Sequence, residues 1–220
     1  MSVKNAVWTT QNARMKNRDM DRTILDKTFL LIQEQEKRFL KQAVFLFRAY
    51  APKPWWHLLI PFKFILEYLA RKKAYRSFSK TYLHLKLIAL DAAYQNLVSD
   101  SQAESEARLE ARLREYRLQK QPTMSQELST QLHTWVDLLR AHYLRMLQSR
   151  GRHSHDLPAE AYPSKDAYSD FIKQLGLMEE EIYPALFGTG QAVCSTRSCL
   201  EAQQKAFAQV RERELREAFD

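Results

Sequence analysis

Six histidines (His57, His84, His133, His142, His153 and His155) and two cysteines (Cys194 and Cys199) are the residues whose chemistry most readily supports a site. His153-Ser154-His155-Asp156 together with the two thiols would form a donor set of the softness zinc prefers. The thiols, however, are spaced C-x4-C, loose for a zinc clip, and the two halves stand about 40 residues apart. A polar loop plus two thiols near a helix start describes the same residues more simply, so the reading assigns no metal and no cofactor. Cys199 falls in the expected first turn of the last helix, where the helix dipole lowers a thiol pKa. A cysteine nucleophile also needs a histidine beside it, and an enzyme of unrecognised type with a reactive thiol stands as an alternative only on that condition.

No histidine lies in H-E-x-x-H or in the E-x-x-H repeat of di-iron bundles, and no G-x-S-x-G occurs. His142 falls on an apolar helical row, where a hydrogen-bonded structural histidine is the common outcome, and His133 reads as solvated. The four glycines, at 151, 176, 188 and 190, leave little room for phosphate loops, dinucleotide turns or hairpins. Rossmann and P-loop enzymes are thereby excluded, and no catalytic residue is assigned.

The most distinctive segment is PKPWWHLLIPFKFILEYLARKKAYRSFSK, residues 52–80. Its run from Trp55 to Ala70 is 16 residues long and contains His57, Pro61, Lys63 and Glu67, too short and too polar to span a bilayer. A helix lying in the interface needs less: an apolar face, aromatic rings at headgroup level and cations facing anionic lipid. Trp55, Trp56 and Phe62 are the expected apolar anchors, with Lys53, Lys63, Arg71, Lys72, Lys73 and Arg76 the electrostatic contacts. Ordinary core packing of the same aromatic residues is the plain alternative.

Charge points the same way. Residues 1–90 hold 18 Lys plus Arg against 6 Asp plus Glu, net +12, while residues 91–220 hold 16 against 20, net −4. Such asymmetry favours an anionic partner: phosphate lipid, nucleic acid, or the chain's own acidic half. Nucleic acid is the runner-up, because RRM, GXXG, zinc-finger and compact helix-turn-helix signatures are missing.

The elements that position these residues are helical. Residues 1–20 read as a flexible basic arm. From Asp21 to Tyr50 the row Leu25, Phe29, Ile32, Glu36, Phe39, Ala43, Leu46 and Tyr50 steps by fours and threes, interrupted only by Glu36. A second long helix is expected from Pro61 to about Leu97, with Phe64, Tyr68, Arg71, Tyr75, Phe78, Tyr82, Leu85, Ala89 and Ala92 on one row. Ser101 and Glu104 form a capping box opening a mostly solvated helix with the narrow row Leu109, Leu113 and Tyr116. Thr123 and Gln126 are expected to cap a core helix through Leu128, Leu132, Trp135, Leu139, His142 and Met146. Residues 151–163 read as a linker, followed by a short helix from Ser164 ending at Gly176, a helical stretch that Pro184 bends or ends, and a terminal helix from about Ser198 to Phe219.

These observations predict an all-α fold: a helical bundle built on three long antiparallel helices (21–50, 61–98 and 125–150) in a core domain of residues 21–150, with smaller helices in 164–220. Pairing of the first two helices with another chain, leaving the monomer unstable, is the alternative arrangement. The expected function is that of a cytoplasmic interaction or accessory protein without catalysis, peripheral to the inner face of a membrane. It would dock there on an anionic membrane surface or on a membrane-bound protein partner.

Overall fold

The structure, a computed structural model, describes residues 3–50, 63–99, 101–120, 124–149, 151, 153–187 and 197–220. All regular structure among them is helical: α1 (Val3–Tyr50), α2 (Lys63–Phe78), a π-turn (Ser79–Leu83), α3 (His84–Val98), α4 (Gln102–Lys120), α5 (Gln126–Gln148), α6 (Asp156–Ala161), α7 (Lys165–Phe187) and α8 (Arg197–Phe219). The all-α class expected above is what the chain adopts. No described helix is long and apolar enough to cross a membrane.

Direction follows from side-chain pairing. Phe47 meets Phe78, Phe39 meets Tyr82 and Phe29 meets Tyr94, so α1 runs against α2 and α3. α4 returns against α3, with Arg112 on Asp91 and Tyr116 near His84. α5 reverses again, with Arg140 on Glu106 and His133 on Glu110. Hence α3 and α5, the most extensively packed pair, lie parallel rather than antiparallel, because the 19 residues of α4 carry the chain back between them. α7 runs against α5 (Phe171 on His142) and α8 against α7 (Lys165 on Asp220), bringing Phe207 onto Phe39 of α1.

Several rows sit where the spacing placed them. Leu109, Leu113 and Tyr116 are the buried line of α4, and Leu132, Trp135, Leu139, His142 and Met146 that of α5. Ser101 Oγ accepts the Glu104 amide at 3.3 Å and Arg108 pairs with Glu104 at 2.6 Å. The cap of α5 is Ser125, accepting the Leu128 amide at 3.2 Å, two residues beyond the expected Thr123.

Other boundaries differ, each for a physical reason. The first helix opens at Val3, well inside the segment read as an arm, because neither glycine nor proline occurs before Pro52 to stop it; its 48 residues span about 72 Å. α7 continues through Gly176 and Pro184. Its buried line Tyr168, Phe171, Leu175, Glu179, Ile182 and Tyr183 keeps helical register across the glycine, and burial of that line outweighs a weak former. Within the expected linker, α6 buries Leu157 and Pro158. A Cβ at Gly151 would stand 2.9 Å from Leu157 Cδ2 and 3.2 Å from its amide nitrogen, so any side chain there would force Leu157 to shift.

Tyr68 departs most: expected on the buried row, it is 63% exposed. The π-turn explains this. Its wider turn retards rotation by a substantial part of the roughly 100° between successive residues, so the buried line continues from Tyr82 through Phe78 to Ala74. Residues 65, 69, 72 and 76 are thereby aimed away from the core.

Two leucines of α4 check the packing: Leu109→Ala (2% exposed) is expected to lower stability by about 2–5 kcal/mol, while Leu118→Ala (70% exposed) stays within about 0.5 kcal/mol in urea titrations. Equal effects would contradict the assigned face.

Candidate functional site

Two features stand out: the outward face of α2 and a charged interior. Along α2, Ile65, Tyr68 and Leu69 are exposed at 46%, 63% and 53%, and Lys72, Lys73 and Arg76, just beyond them, are exposed as well. Positions 65, 69, 72 and 76 follow one helical stripe, apolar at its start and basic at its end. No acidic residue occurs from Tyr68 to Leu90, and no carboxylate among the described residues pairs with Lys72, Lys73 or Arg76. Of the other expected contacts, Lys63 opens α2 and Arg71 lies within it; Lys53, Trp55, Trp56 and Phe62 lie outside the described residues. The structure thus brings three of the nine together on one outward stripe. It adds Ile65 and Leu69, which sequence reasoning did not single out because their outward aim depends on the π-turn.

The interior is built around Glu36, the one interruption of the α1 row. Lys86 Nζ of α3 lies 2.5 Å from Glu36 Oε2, and the Tyr143 hydroxyl of α5 donates to Glu36 Oε1 at 2.7 Å. A second buried pair joins α8 to α7: Arg211 Nη2 lies 2.5 Å from Glu179 Oε2. Tyr82 ties this pair to the aromatic centre, donating to Glu179 Oε1 at 3.2 Å and accepting from Arg211 at 3.3 Å. The Phe39 ring receives both cations, Lys86 at 4.8 Å and Arg211 at 5.7 Å from its centroid.

Burial opposes the charge on Lys86, but the Glu36 carboxylate more than offsets it and the ammonium is shifted upward. Arg211 follows the same balance with Glu179. Burial, then the adjacent Glu179 carboxylate, raises the Tyr82 hydroxyl to about 12, so it remains a donor. Burial, aided by Lys86 and Arg145, drives His142 down to about 3, leaving it neutral. Its Nδ1 lies 2.8 Å from the Tyr162 hydroxyl and its ring stacks on Phe171 at 4.3 Å. It is the structural histidine its row position implied.

Next to these pairs lies a small cavity of about 30 Å³, bounded by α1, α3, α5, α7 and α8. Glu214 of α8 lines it, partly buried. Burial and the Glu36 charge raise its carboxyl to about 7, against the pull of Lys86, Arg211 and a Gln35 hydrogen bond. Sequence reading missed Lys86, Glu179, Arg211 and Glu214. The available signal was a lysine inside the apolar run LHLKLIAL together with Glu36 on a core row, which call for each other once both are buried.

His153 and His155 stack at 5.4 Å on the surface, Cys199 lies in the first turn of α8, and Cys194 lies outside the described residues. Among the described residues no group of three His, Cys, Asp or Glu comes together to hold a metal. No protein-family model matches the chain, and comparison with curated proteins and with solved structures finds no match either.

The pH behaviour of Glu214 has a definite sign. A carboxyl raised to about 7 in the fold from 4.5 binds its proton more tightly when folded, so its stabilisation is complete below pH 4.5 and lost as pH rises through 7. Urea midpoints of wild type and Glu214→Gln are therefore expected to converge on acidification from pH 8 to pH 5, with the variant relatively more stable at pH 8. A difference independent of pH would contradict this placement; the opposing His142 contribution cancels in the comparison.

Proposed function

We propose that this chain is a helical interaction protein, an adaptor or accessory subunit rather than a catalyst, that docks peripherally on an anionic membrane surface through the outward stripe of α2. The observation carrying this reading is the adjacency, on one exposed face, of Ile65, Tyr68 and Leu69 with Lys72, Lys73 and Arg76. Along the helix axis the apolar and basic groups are centred about 10 Å apart, from a rise of 1.5 Å per residue. Interfacial apolar groups enter to about 5–10 Å, so with the start of α2 dipped into the headgroup layer its cations stand near the phosphates. Lys80, also exposed, extends the basic end.

Three features favour lipid over a protein groove. The apolar groups sit at the start of an outward helix, the sequence just before them supplies Trp55, Trp56 and Phe62, and no carboxylate among the described residues pairs with Lys72, Lys73 or Arg76. Amphipathic aromatic rings suit the headgroup layer, and each cation near an anionic surface contributes about 1 kcal/mol. On this reading the protein works in the cytoplasm at the inner face of a membrane, where the anionic lipid is found.

Sedimentation of the full chain with phosphatidylcholine vesicles, with and without phosphatidylserine, is the test. Binding is expected only to the anionic vesicles and to weaken strongly between about 0.05 and 0.5 M salt, as the Debye length shrinks. The triple variant Lys72→Gln/Lys73→Gln/Arg76→Gln should bind about a hundredfold more weakly, and Ile65→Ser/Leu69→Ser should lose binding with its fold intact. Equal binding to neutral vesicles, or capture of nucleic acid in place of vesicles at the same salt, would overturn the reading.

A further inference from the structure

The basic end of the α2 stripe surrounds a hydroxyl. Ser77 lies on its flank, half-buried, with Lys73 four residues before it and Lys80 three after, both exposed, and exposed Arg76 adjacent. Helical residues three or four apart are side-chain neighbours, so both lysines reach a group placed on the Ser77 oxygen. The other two aliphatic hydroxyls of this stretch are turned elsewhere: Ser79 Oγ is buried in the π-turn, and Thr81 lies against Tyr116 of α4. No acidic residue occurs from Tyr68 to Leu90, so nothing nearby in the sequence competes with a new anion for these cations. Access follows from packing. Among the described side chains of α2 only Ala74 and Phe78 are buried, so this helix opens at a lower free energy than those with long buried lines. An opened segment from Arg71 to Lys80 is a serine with cations on both sides, the charge pattern an acidic substrate groove accepts.

We propose that Ser77 is a phosphorylation site whose modification releases α2 from anionic lipid, an inference that rests on the docking proposed above. The donor is ATP and the catalyst a serine kinase with an acidic substrate groove. The Ser77 oxygen bonds to the γ-phosphorus, the bond from that phosphorus to the bridging oxygen breaks, the hydroxyl proton passes to the kinase's base, and ADP leaves. The product carries about two negative charges at neutral pH. It draws Lys73 and Lys80 into charge-assisted hydrogen bonds, which leaves Lys72 and Arg76 for the lipid. Leu69 and Ile65 stand roughly 12 and 18 Å away along the helix axis, so the apolar contacts are untouched and the switch acts on the electrostatic contribution alone.

Phosphoserine installed at position 77 of the full chain tests the switch by sedimentation with phosphatidylserine vesicles at about 0.1 M salt. Binding is expected to fall roughly thirtyfold, as two cations are withdrawn from the lipid, with helicity by circular dichroism unchanged. The same modification at Ser169 of α7, next to the Tyr168–Phe219 contact, adds equal charge away from the stripe and should leave binding within about twofold. Treating the wild type with ATP and a serine kinase of basic specificity should place phosphate on Ser77 and release the chain, while Ser77→Ala binds the vesicles and stays bound. Undiminished binding with phosphoserine at 77, equal loss from the Ser169 modification, lost helicity, or no phosphate on Ser77 after the kinase reaction would each overturn the proposal. Failure of the unmodified chain to bind would overturn the docking itself and the switch with it, so the two failures are distinguishable.

Discussion

Two buried ion pairs, Glu36 with Lys86 and Glu179 with Arg211, constrain the rest of this fold. An ion removed from water loses several kcal/mol of solvation, and only a close partner of opposite sign with its other lone pairs satisfied offsets that loss. Each pair satisfies the requirement through a tyrosine as well: Tyr143 on Glu36 and Tyr82 on Glu179. Because the partners come from different helices, α1 cannot slide along α3, nor α7 along α8, without stranding a charge. Apolar contact alone tolerates such slips; the charges fix the register that the aromatic centre of Phe39, Tyr82, Trp135 and Phe207 then fills.

The same rigidity turns α2 into a presented surface. Through the π-turn α2 leads into α3, whose Lys86 is locked to α1, so the position and rotation of α2 are set from the bundle interior. The π-turn supplies the offset. With uninterrupted 3.6-residue periodicity Tyr68 would face inward; with the wider turn Ala74 and Phe78 take the inward positions and Ile65, Leu69, Lys72 and Arg76 turn out. The exposed stripe of α2 and the charged interior are in this sense two ends of one helical rod.

Helix content and the inward rows of α4 and α5 were legible in the sequence, because burial of one face enforces a period of 3.6 and the caps mark the starts. Boundaries set by tertiary contact were not. The spacing cannot show that the line from Tyr168 to Tyr183 stays buried across Gly176, nor that α3 and α5 run parallel once α4 intervenes. Basic residues 72, 73 and 76 were recognisable as a surface group from charge alone, while their apolar companions depended on a local unwinding that leaves no composition signature. The interior charges were least legible: Glu36 reads as an interruption of its row until Lys86 of α3, 50 residues away, is seen beside it.

The claim that paired interior charges hold the helices in register is tested most directly by a double-mutant cycle in urea on Glu36 and Lys86. Lys86→Met alone, which strands the carboxylate, is expected to lower stability by about 3–5 kcal/mol, and adding Glu36→Leu to restore most of that loss. Additive losses, or a harmless single substitution, would show that the two side chains do not depend on each other and would contradict the account.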